Sequence, residues 1–229
     1  MHEKENADSK NVTINQYVKY SFTVTFMVLL TTGTITFIEA IRTQNPMIRH
    51  IFNLETCISV IASYFYSLFI TQIENPKTDF DWKYITKTRY MDWSITTPLM
   101  LLTLCLVLGS NIGRPLHLSI YGLIIIMNFS MLAIGYLGEA NHWDKMVTSS
   151  LGFIPFFAMY AIIFTQFVMP KYRLDNYILY GLFIFLWGIY GIVYLFSEEY
   201  KNIGYNILDL ISKCFIGLGL WAYYTKIFV

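Results

Sequence analysis

Charged residues are scarce in this chain of 229 residues. Asp, Glu, Lys and Arg make up 14%, and hydrophobic residues make up 55%. A typical soluble domain has about 25% charged residues, so the composition excludes an ordinary soluble protein and predicts a polytopic membrane protein. The formal net charge of +1 gives no basis for a nucleic-acid partner.

Cysteine is also scarce. The three cysteines, Cys57, Cys105 and Cys214, all lie in apolar stretches. An odd number of thiols in lipid-buried segments excludes a disulfide framework, and we expect all three to be small packing residues. An apolar core is missing from residues 1–15, which excludes a secretory signal peptide, so the first apolar stretch is expected to act as the insertion signal.

Long apolar stretches dominate the rest of the chain. Each is long enough to cross a bilayer as a helix, and polar connections containing Gly, Pro or Asn separate them. The stretches run roughly from Tyr17 to Ile41, Ile51 to Ile73, Tyr84 to Leu108, Leu116 to Leu137, Met146 to Met169, Asn176 to Phe196 and Ile203 to Phe228. The sequence therefore predicts an all-α membrane protein with seven transmembrane helices. We expect an extracellular tail over residues 1–16 and one domain over 17–229.

Basic residues are distributed unevenly over the connections. The connections after the first, third and fifth stretches contain only one acid, Asp175, whereas the other three mix acids and bases. Their basic residues are Arg42, Arg49, His50, Arg114, His117, Lys171 and Arg173. Because cytoplasmic loops are rich in Lys and Arg, this pattern predicts an extracellular N-terminus and a cytoplasmic C-terminus.

An ionisable pair lies in the middle of the seventh stretch. Asp209 precedes Lys213 by four residues, so the two share one face of a helix. An ammonium group at mid-membrane depth is costly and by default indicates function. Two interpretations remain open: a structural ion pair, or an amine that forms a Schiff base with an aldehyde.

A motif in the third stretch favours the second interpretation. Arg-Tyr-x-Asp-Trp-x-x-Thr-x-Pro starts at Arg89, and Trp-Gly-Ile-Tyr starts at Trp187 in the sixth stretch. Together with Asp-x-x-x-Lys in the seventh stretch, these motifs resemble the microbial rhodopsins over nearly the whole chain. The resemblance implies a seven-helix bundle that binds all-trans retinal as a Schiff base on Lys213.

The resemblance also implies roles for charged residues near that lysine. Asp92 corresponds to the primary proton acceptor and Asp209 to the second counterion, while Arg89 offsets their negative charge. The alternative for Arg89 is a residue that snorkels to the membrane face. Thr96 lies four residues after Asp92, and we expect it to donate a hydrogen bond to the Asp92 carboxylate.

Aromatic and small residues form the retinal pocket that the resemblance implies. Trp93 and Trp187 are expected to enclose the polyene, and Tyr190 and Tyr194 to line its ring side and reach toward Asp209. Met131 and Gly135 complete the predicted pocket, near the ionone ring. The alternative for each residue is ordinary helix packing. The pocket departs from the family pattern at two positions. Gly191 occupies a position where many relatives have proline, and Tyr194 occupies one where they have tryptophan.

The third position of the third-stretch motif is Thr103, where many outward proton pumps have an acid that donates a proton. Threonine cannot serve as that donor. Glu55, in the second stretch, is predicted at a similar depth and is our candidate donor. If Tyr66 lies near the counterion, Glu55 is about 16 Å closer to the cytoplasm. The alternative is an interfacial Glu55 paired with Arg42 or Arg49.

A further acid pair, Glu198 and Glu199, follows the sixth stretch, where relatives keep a proton-release carboxylate. We assign Glu199 to this position, although a second carboxylate is missing because Lys201 and Asn202 occupy the start of the seventh stretch. Prompt proton release through a carboxyl pair is therefore not expected.

The predicted function is a light-driven outward proton pump rather than an enzyme. Asp92 argues against a chloride pump, and Asp, Thr and Thr at 92, 96 and 103 do not match the sodium-pump pattern. A light-gated cation channel is the alternative, followed by a photosensory receptor. The short chain, this motif and the acid in the second stretch resemble the giant-virus group. We therefore expect a host cell membrane. The resemblance to the wider family implies a trimer or a pentamer, and the sequence does not choose between the two.

Overall fold

Helices make up nearly all of the computed structural model, which describes residues 2–74 and 80–226, with side chains from residue 15 onward. Within these residues, eight α-helices and two π-helical segments form seven candidate membrane spans. The α-helices are α1 (His2–Arg42), α2 (Pro46–Ile73), α3 (Trp82–Ile112), α4 (Leu118–Glu139), α5 (Lys145–Ile163), α6 (Leu174–Val193), α7 (Glu198–Asp209) and α8 (Ile216–Thr225). The prediction of an all-α bundle with seven membrane helices is confirmed.

The ends of the spans follow from local capping. The Asn45 side chain accepts hydrogen bonds from two amides of the first turn of α2, and Asp144 does the same for α5. Gly113, with φ of 72°, ends α3 in the left-handed conformation. The predicted bounds differ from these by a few residues. The predicted break at Asn75 and Pro76 lies outside the described residues.

Two π segments extend α5 and interrupt the last span. The first, Phe164–Val168, continues α5, and the second, Leu210–Phe215, joins α7 to α8 and contains Lys213. A π segment widens the helix locally and is frequent at functional sites. Two side chains donate to carbonyls of the first segment: Arg114 to Gln166, at 2.8 Å, and Asn176 to Phe167, at 3.0 Å. These bonds join α3, α5 and α6 at one end of the bundle.

Packing places the last span beside α1, α2 and α6, and places α4 against α5. Two polar contacts fix the relative depth of the helices. Thr25 on α1 donates to the carbonyl oxygen of Asn206 at 3.3 Å, and Tyr66 on α2 donates to Asp209 at 2.8 Å. Depth can therefore be counted from these contacts along α1, α2 and the last span.

Candidate functional site

Lys213 forms the centre of a buried charge cluster. Its Nζ donates a hydrogen bond of 2.7 Å to Oδ2 of Asp92 on α3 and lies 3.5 Å from Oδ1 of Asp209. The three side chains are almost completely excluded from the surface. Taking such charges out of water is costly unless they are paired, so each ion here depends on its partners.

The two carboxylates differ in how their oxygens are used. Asp209 accepts hydrogen bonds from Tyr190 at 2.7 Å and from Tyr66 at 2.8 Å, one on each oxygen, and pairs with Arg89 at 3.4 Å. Asp92 uses only Oδ2, and its Oδ1 is buried with no hydrogen-bond partner among the described residues. One carboxylate is therefore saturated with donors, and the other retains accepting capacity next to the lysine.

Arg89 is buried beneath this centre, with only 2% of its side chain exposed. Its Nη2 donates to the amide oxygens of Asn206, at 2.8 Å, and Asn202, at 3.1 Å. Its guanidinium also lies 5.0 Å from the centre of the Phe69 ring. A snorkelling arginine would have an exposed head group, so that alternative is wrong for Arg89.

Two expected contacts of the site are wrong. Thr96 donates to the main-chain carbonyl of Asp92, at 2.9 Å, and not to its carboxylate. A threonine inside a helix readily bonds the carbonyl four residues earlier, and this local bond wins. Tyr194 does not reach Asp209, because its hydroxyl donates to the Gly135 carbonyl and pairs with the Thr148 hydroxyl, both at 2.9 Å.

A largely apolar cavity extends from Lys213 to residues of α4 and α5. All seven residues predicted to bind the cofactor line it: Trp93, Met131, Gly135, Trp187, Tyr190, Tyr194 and Lys213. Sequence reasoning did not place other lining residues there, among them Tyr90, Gly152, Phe153, Phe156 and Tyr205. Gly152, Phe153 and Phe156 are spaced along one face of α5, and this spacing could have indicated that they line the cavity.

Glycine is needed at the far end of this cavity. A Cβ atom on Gly135 would lie 2.7 Å from the Tyr90 hydroxyl oxygen, and one on Gly191 would lie 2.5 Å from Phe153. Larger residues would displace these aromatic walls. The glycine at 191, unexpected for the family pattern, therefore accommodates the Phe153 ring.

Glu55 lies on the other side of Lys213, toward the end of the bundle where α2 begins. It is 3% exposed and lies beside Thr103 of α3, as the helix count predicted. The alternative ion pairs are wrong, because Arg42 lies 3.9 Å from Glu39 and Arg49 donates to the Thr43 carbonyl. No ion pair involves Glu55 in the part of the chain that the structure describes.

A second charge cluster lies at the opposite end, where α4, α5 and α7 meet. Nζ of Lys201 donates to Glu139 at 2.9 Å and to Glu198 at 2.8 Å, and Lys145 lies 3.2 Å and 3.3 Å from the same two acids. We call these four residues the α4–α7 cluster. Sequence reasoning missed Glu139, because its buried partner Lys201 lies 62 residues further along the chain. Glu199, the predicted release residue, takes part in no described ion pair.

These features define a class of protein: a seven-helix membrane protein whose last helix presents a buried, ion-paired lysine to an aromatic cavity. The family follows from comparison with known proteins. A family model described as bacteriorhodopsin-like protein matches residues 16–227, and the chain belongs to that family. Family membership implies a retinal chromophore and a membrane environment.

Solved and curated relatives agree with this assignment. The structure of the viral rhodopsin OLPVRII is 44% identical, covers 93% of this chain and 99% of its own, and superposes with a TM-score of 0.86. The expected likeness to viral rhodopsins is therefore confirmed. Opsin-1 of Neurospora crassa is 27% identical over 58% of this chain and 47% of its own length. A green-light absorbing proteorhodopsin of a gamma-proteobacterium is 26% identical over 62% of each chain. The match thus spans about half to two thirds of these curated relatives.

The cavity and its lysine fit a retinal. The only primary amine at its end, among the described residues, is the Lys213 Nζ, and the walls are mainly aromatic. A positive charge held at Nζ has two carboxylates within 3.5 Å. The buried, unpartnered Oδ1 of Asp92 adds a further acceptor at the same place.

Proposed function

We propose that this protein is a light-driven outward proton pump in which Lys213 holds all-trans retinal covalently through Nζ. When bound, the retinal supplies absorption of visible light and a light-driven change of shape inside the cavity. The observation that carries the proposal is the asymmetry of the two carboxylates. Only Asp92 combines a 2.7 Å contact to Nζ with an unpartnered oxygen.

The first proton step runs from Nζ of Lys213 to Asp92. Their hydrogen bond already gives the donor–acceptor distance that proton transfer requires. Once Nζ has become neutral, the Asp92 carboxylate would be a buried negative charge without its partner. Protonation of Asp92 removes that charge. Asp92 is thus the acceptor, and it gains the proton that Nζ loses.

Asp209 acts as a fixed negative charge. Two tyrosine hydroxyls and the Arg89 guanidinium stabilise its ionised form, so accepting a proton would weaken three contacts. Arg89 keeps the centre close to neutral while Nζ is charged, because two cations then face two anions. Thr96 orients the α3 backbone at Asp92.

The return step needs a proton source on the other side of Lys213. Thr103 offers a hydroxyl that does not ionise at useful pH, whereas Glu55 beside it has a carboxyl group. Burial in apolar surroundings, without a cation nearby, favours a carboxyl that carries its proton. Glu55 is therefore proposed to return the proton to Nζ.

The direction of transport follows from the orientation of the chain. The end of the bundle near Glu55 carries the basic connections, which the positive-inside rule assigns to the cytoplasm. Protons then enter through Glu55 and leave past Arg89 on the extracellular side. The N-terminus is extracellular in this orientation, and residues 1–16 form its tail. One solved structure with the same fold is described as a proton pumping rhodopsin, AR2 of Acetabularia acetabulum, so the fold is compatible with pumping.

Light-driven pH change tests the proposal. Cells, or right-side-out vesicles, that contain the retinal-loaded protein should acidify their medium on illumination. A protonophore should abolish this pH change. Asp92→Asn should give no signal. Alkalinisation by correctly oriented wild type, or unchanged acidification by Asp92→Asn, would contradict the proposal.

A light-gated cation channel is the second candidate. The observation that favours it is the set of buried hydroxyls near Glu55, which belong to Thr32, Ser59 and Thr103. Such groups would suit a hydrated path for ions as well as a path for protons. A channel carries current in either direction, according to the gradient, so its photocurrent changes sign with voltage and a pump's does not. Trimeric or pentameric assembly stays a prediction.

A further inference from the structure

We propose that Thr32 and Ser59 form, with Gly217, a water-holding path between α1, α2 and α8 through which Glu55 returns its proton to Lys213. This inference rests on the proposed pump function and deepens it. It assigns the path to α1 and α2, whereas the donor position that relatives use lies on α3, at Thr103.

The depth of Thr32 follows from the contact between α1 and the last span. Thr25 bonds the carbonyl oxygen of Asn206. Both helices run in the same direction, and Thr32 and Lys213 each lie seven residues further along. Thr32 therefore lies near the depth of Lys213, and it also lies next to Cys214 and Gly217.

Ser59 lies between the donor and the lysine on α2. Tyr66 marks the depth of Asp209, and Glu55 lies eleven residues away toward the start of α2. Ser59 is one turn from Glu55 on the same helix face and packs against Gly33, the neighbour of Thr32. The two hydroxyls thus lie in the interval that the proton must cross.

These hydroxyls have no oxygen or nitrogen partner among the described residues. The Oγ1 of Thr32 and the Oγ of Ser59 are buried, with both residues 0% exposed, and the Thr32 hydroxyl faces the Cys214 thiol, which is a weak hydrogen-bonding group. The neighbouring Thr36 differs, because its hydroxyl is bonded to the Thr32 carbonyl and to Thr56. Burying an unpaired hydroxyl is unfavourable, and buried polar groups of this kind are where proteins hold ordered water.

Gly217 provides the space for this path. A Cβ atom there would lie 2.7 Å from Oε2 of Glu55 and 3.3 Å from Cγ2 of Thr32. Gly217 follows Lys213 by four residues. The missing side chain therefore brings the Glu55 carboxyl and Thr32 together directly beside the helix turn that holds the lysine.

The transfer is balanced along the path. The Glu55 carboxyl loses its proton to a water bound at Ser59, and each water passes one proton onward while receiving another. Nζ of Lys213 gains the last proton, and Glu55 is reloaded from the cytoplasmic side. Thr32 and Ser59 act as positioning residues, because they hold the water and do not themselves ionise.

The test compares substitutions in the full chain, loaded with retinal in lipid vesicles. Ser59→Ala and Thr32→Val should each slow the recovery of the protonated Nζ severalfold after a flash, and should make it dependent on bulk pH. Azide, a small diffusible acid, should restore the rate. Thr32→Ser keeps the hydroxyl and should recover close to wild-type speed. Thr34→Val is the matched control, because the Thr34 hydroxyl is exposed and bonds the Leu30 carbonyl.

A second readout does not depend on pumping. In unilluminated protein, the infrared C=O band of the Glu55 carboxyl, assigned through Glu55→Gln, should shift in Ser59→Ala and Thr32→Val and should stay in place in Thr34→Val. Unchanged recovery kinetics and an unchanged band in both Ser59→Ala and Thr32→Val would overturn the path. The proposed pump would still stand if recovery of the protonated Nζ is slow in Glu55→Gln. Unchanged recovery in Glu55→Gln would overturn both the donor role and the path.

Discussion

The two halves of the bundle on either side of Lys213 are built differently. On the side of Arg89, charges occur in compensated groups. Arg89 and Asp209 form one group, and the α4–α7 cluster forms another. On the side of Glu55, the buried acid among the described residues is Glu55 itself, which lies among hydroxyls and apolar residues without an ion-pair partner. The ion pairs of that side, Glu39 with Arg42 and Asp175 with Arg173, are more exposed.

This difference suits one-way proton movement. Charges that are fixed by several partners change little when a proton passes, so the Arg89 side can hold a constant field at Nζ. A neutral, sparsely bonded acid can give up its proton and regain it at lower cost in broken contacts. The following predictions break or sharpen this contrast, from the largest effect to the smallest.

Lys213→Ala removes the shared centre of both halves. We expect complete loss of the visible absorption band after addition of retinal, because no other described amine opens into the cavity. The seven-helix fold should persist, which circular dichroism in detergent would show. Covalently bound, visible-absorbing retinal in this variant would end the rhodopsin interpretation.

Asp92→Asn changes only the acceptor on the α3 side. The positive charge at Nζ loses its 2.7 Å partner, so the absorption band should move to longer wavelength and net proton transport should stop. Acidification of wild type should give the same red shift, since a protonated Asp92 is also neutral. Spectra across a pH titration check this. A wild-type band that ignores acid would argue against Asp92 as the nearest counterion.

Glu55→Gln keeps the shape of the donor side and removes its transferable proton. Return of the proton to Nζ should slow severalfold or more, should become pH-dependent, and should recover with azide. Flash photolysis measures the rate. Glu39→Gln is the control, because Glu39 lies on the same side of the bundle but next to Arg42. Equal slowing in both variants would mean that the effect is not specific to Glu55.

Lys201→Gln disturbs the α4–α7 cluster. Glu139, which is 3% exposed, would keep only its contact to Lys145. We expect a lower thermal midpoint with the absorption band preserved. The loss should stay below the about 3–5 kcal/mol of a fully buried pair, because Lys145 and Glu198 are partly exposed. Glu199→Gln, outside the cluster, should leave the midpoint unchanged. Equal loss in both variants would argue against the cluster.

Sequence reasoning reached the fold from local patterns and the centre from the resemblance to the microbial rhodopsins. Apolar length gives the spans, and helix periodicity places Asp209 beside Lys213. The pairing of Asp92 with Lys213 joins two distant helices, so only the family motifs indicated it. Sequence reasoning failed where two acceptors competed for one donor. The Thr96 hydroxyl donates to the main-chain carbonyl of Asp92 and not to the Asp92 carboxylate. It also failed for Glu139 and Lys201, whose pairing depends on how α4 and α7 meet, which no spacing within one helix encodes.

The photocurrent under voltage clamp tests the central claim most directly. In cells that express the retinal-loaded wild type, we predict an outward current on illumination at every accessible voltage, independent of the sodium and potassium gradients. A photocurrent that reverses sign near the equilibrium potential of a cation would contradict the pump and favour the channel.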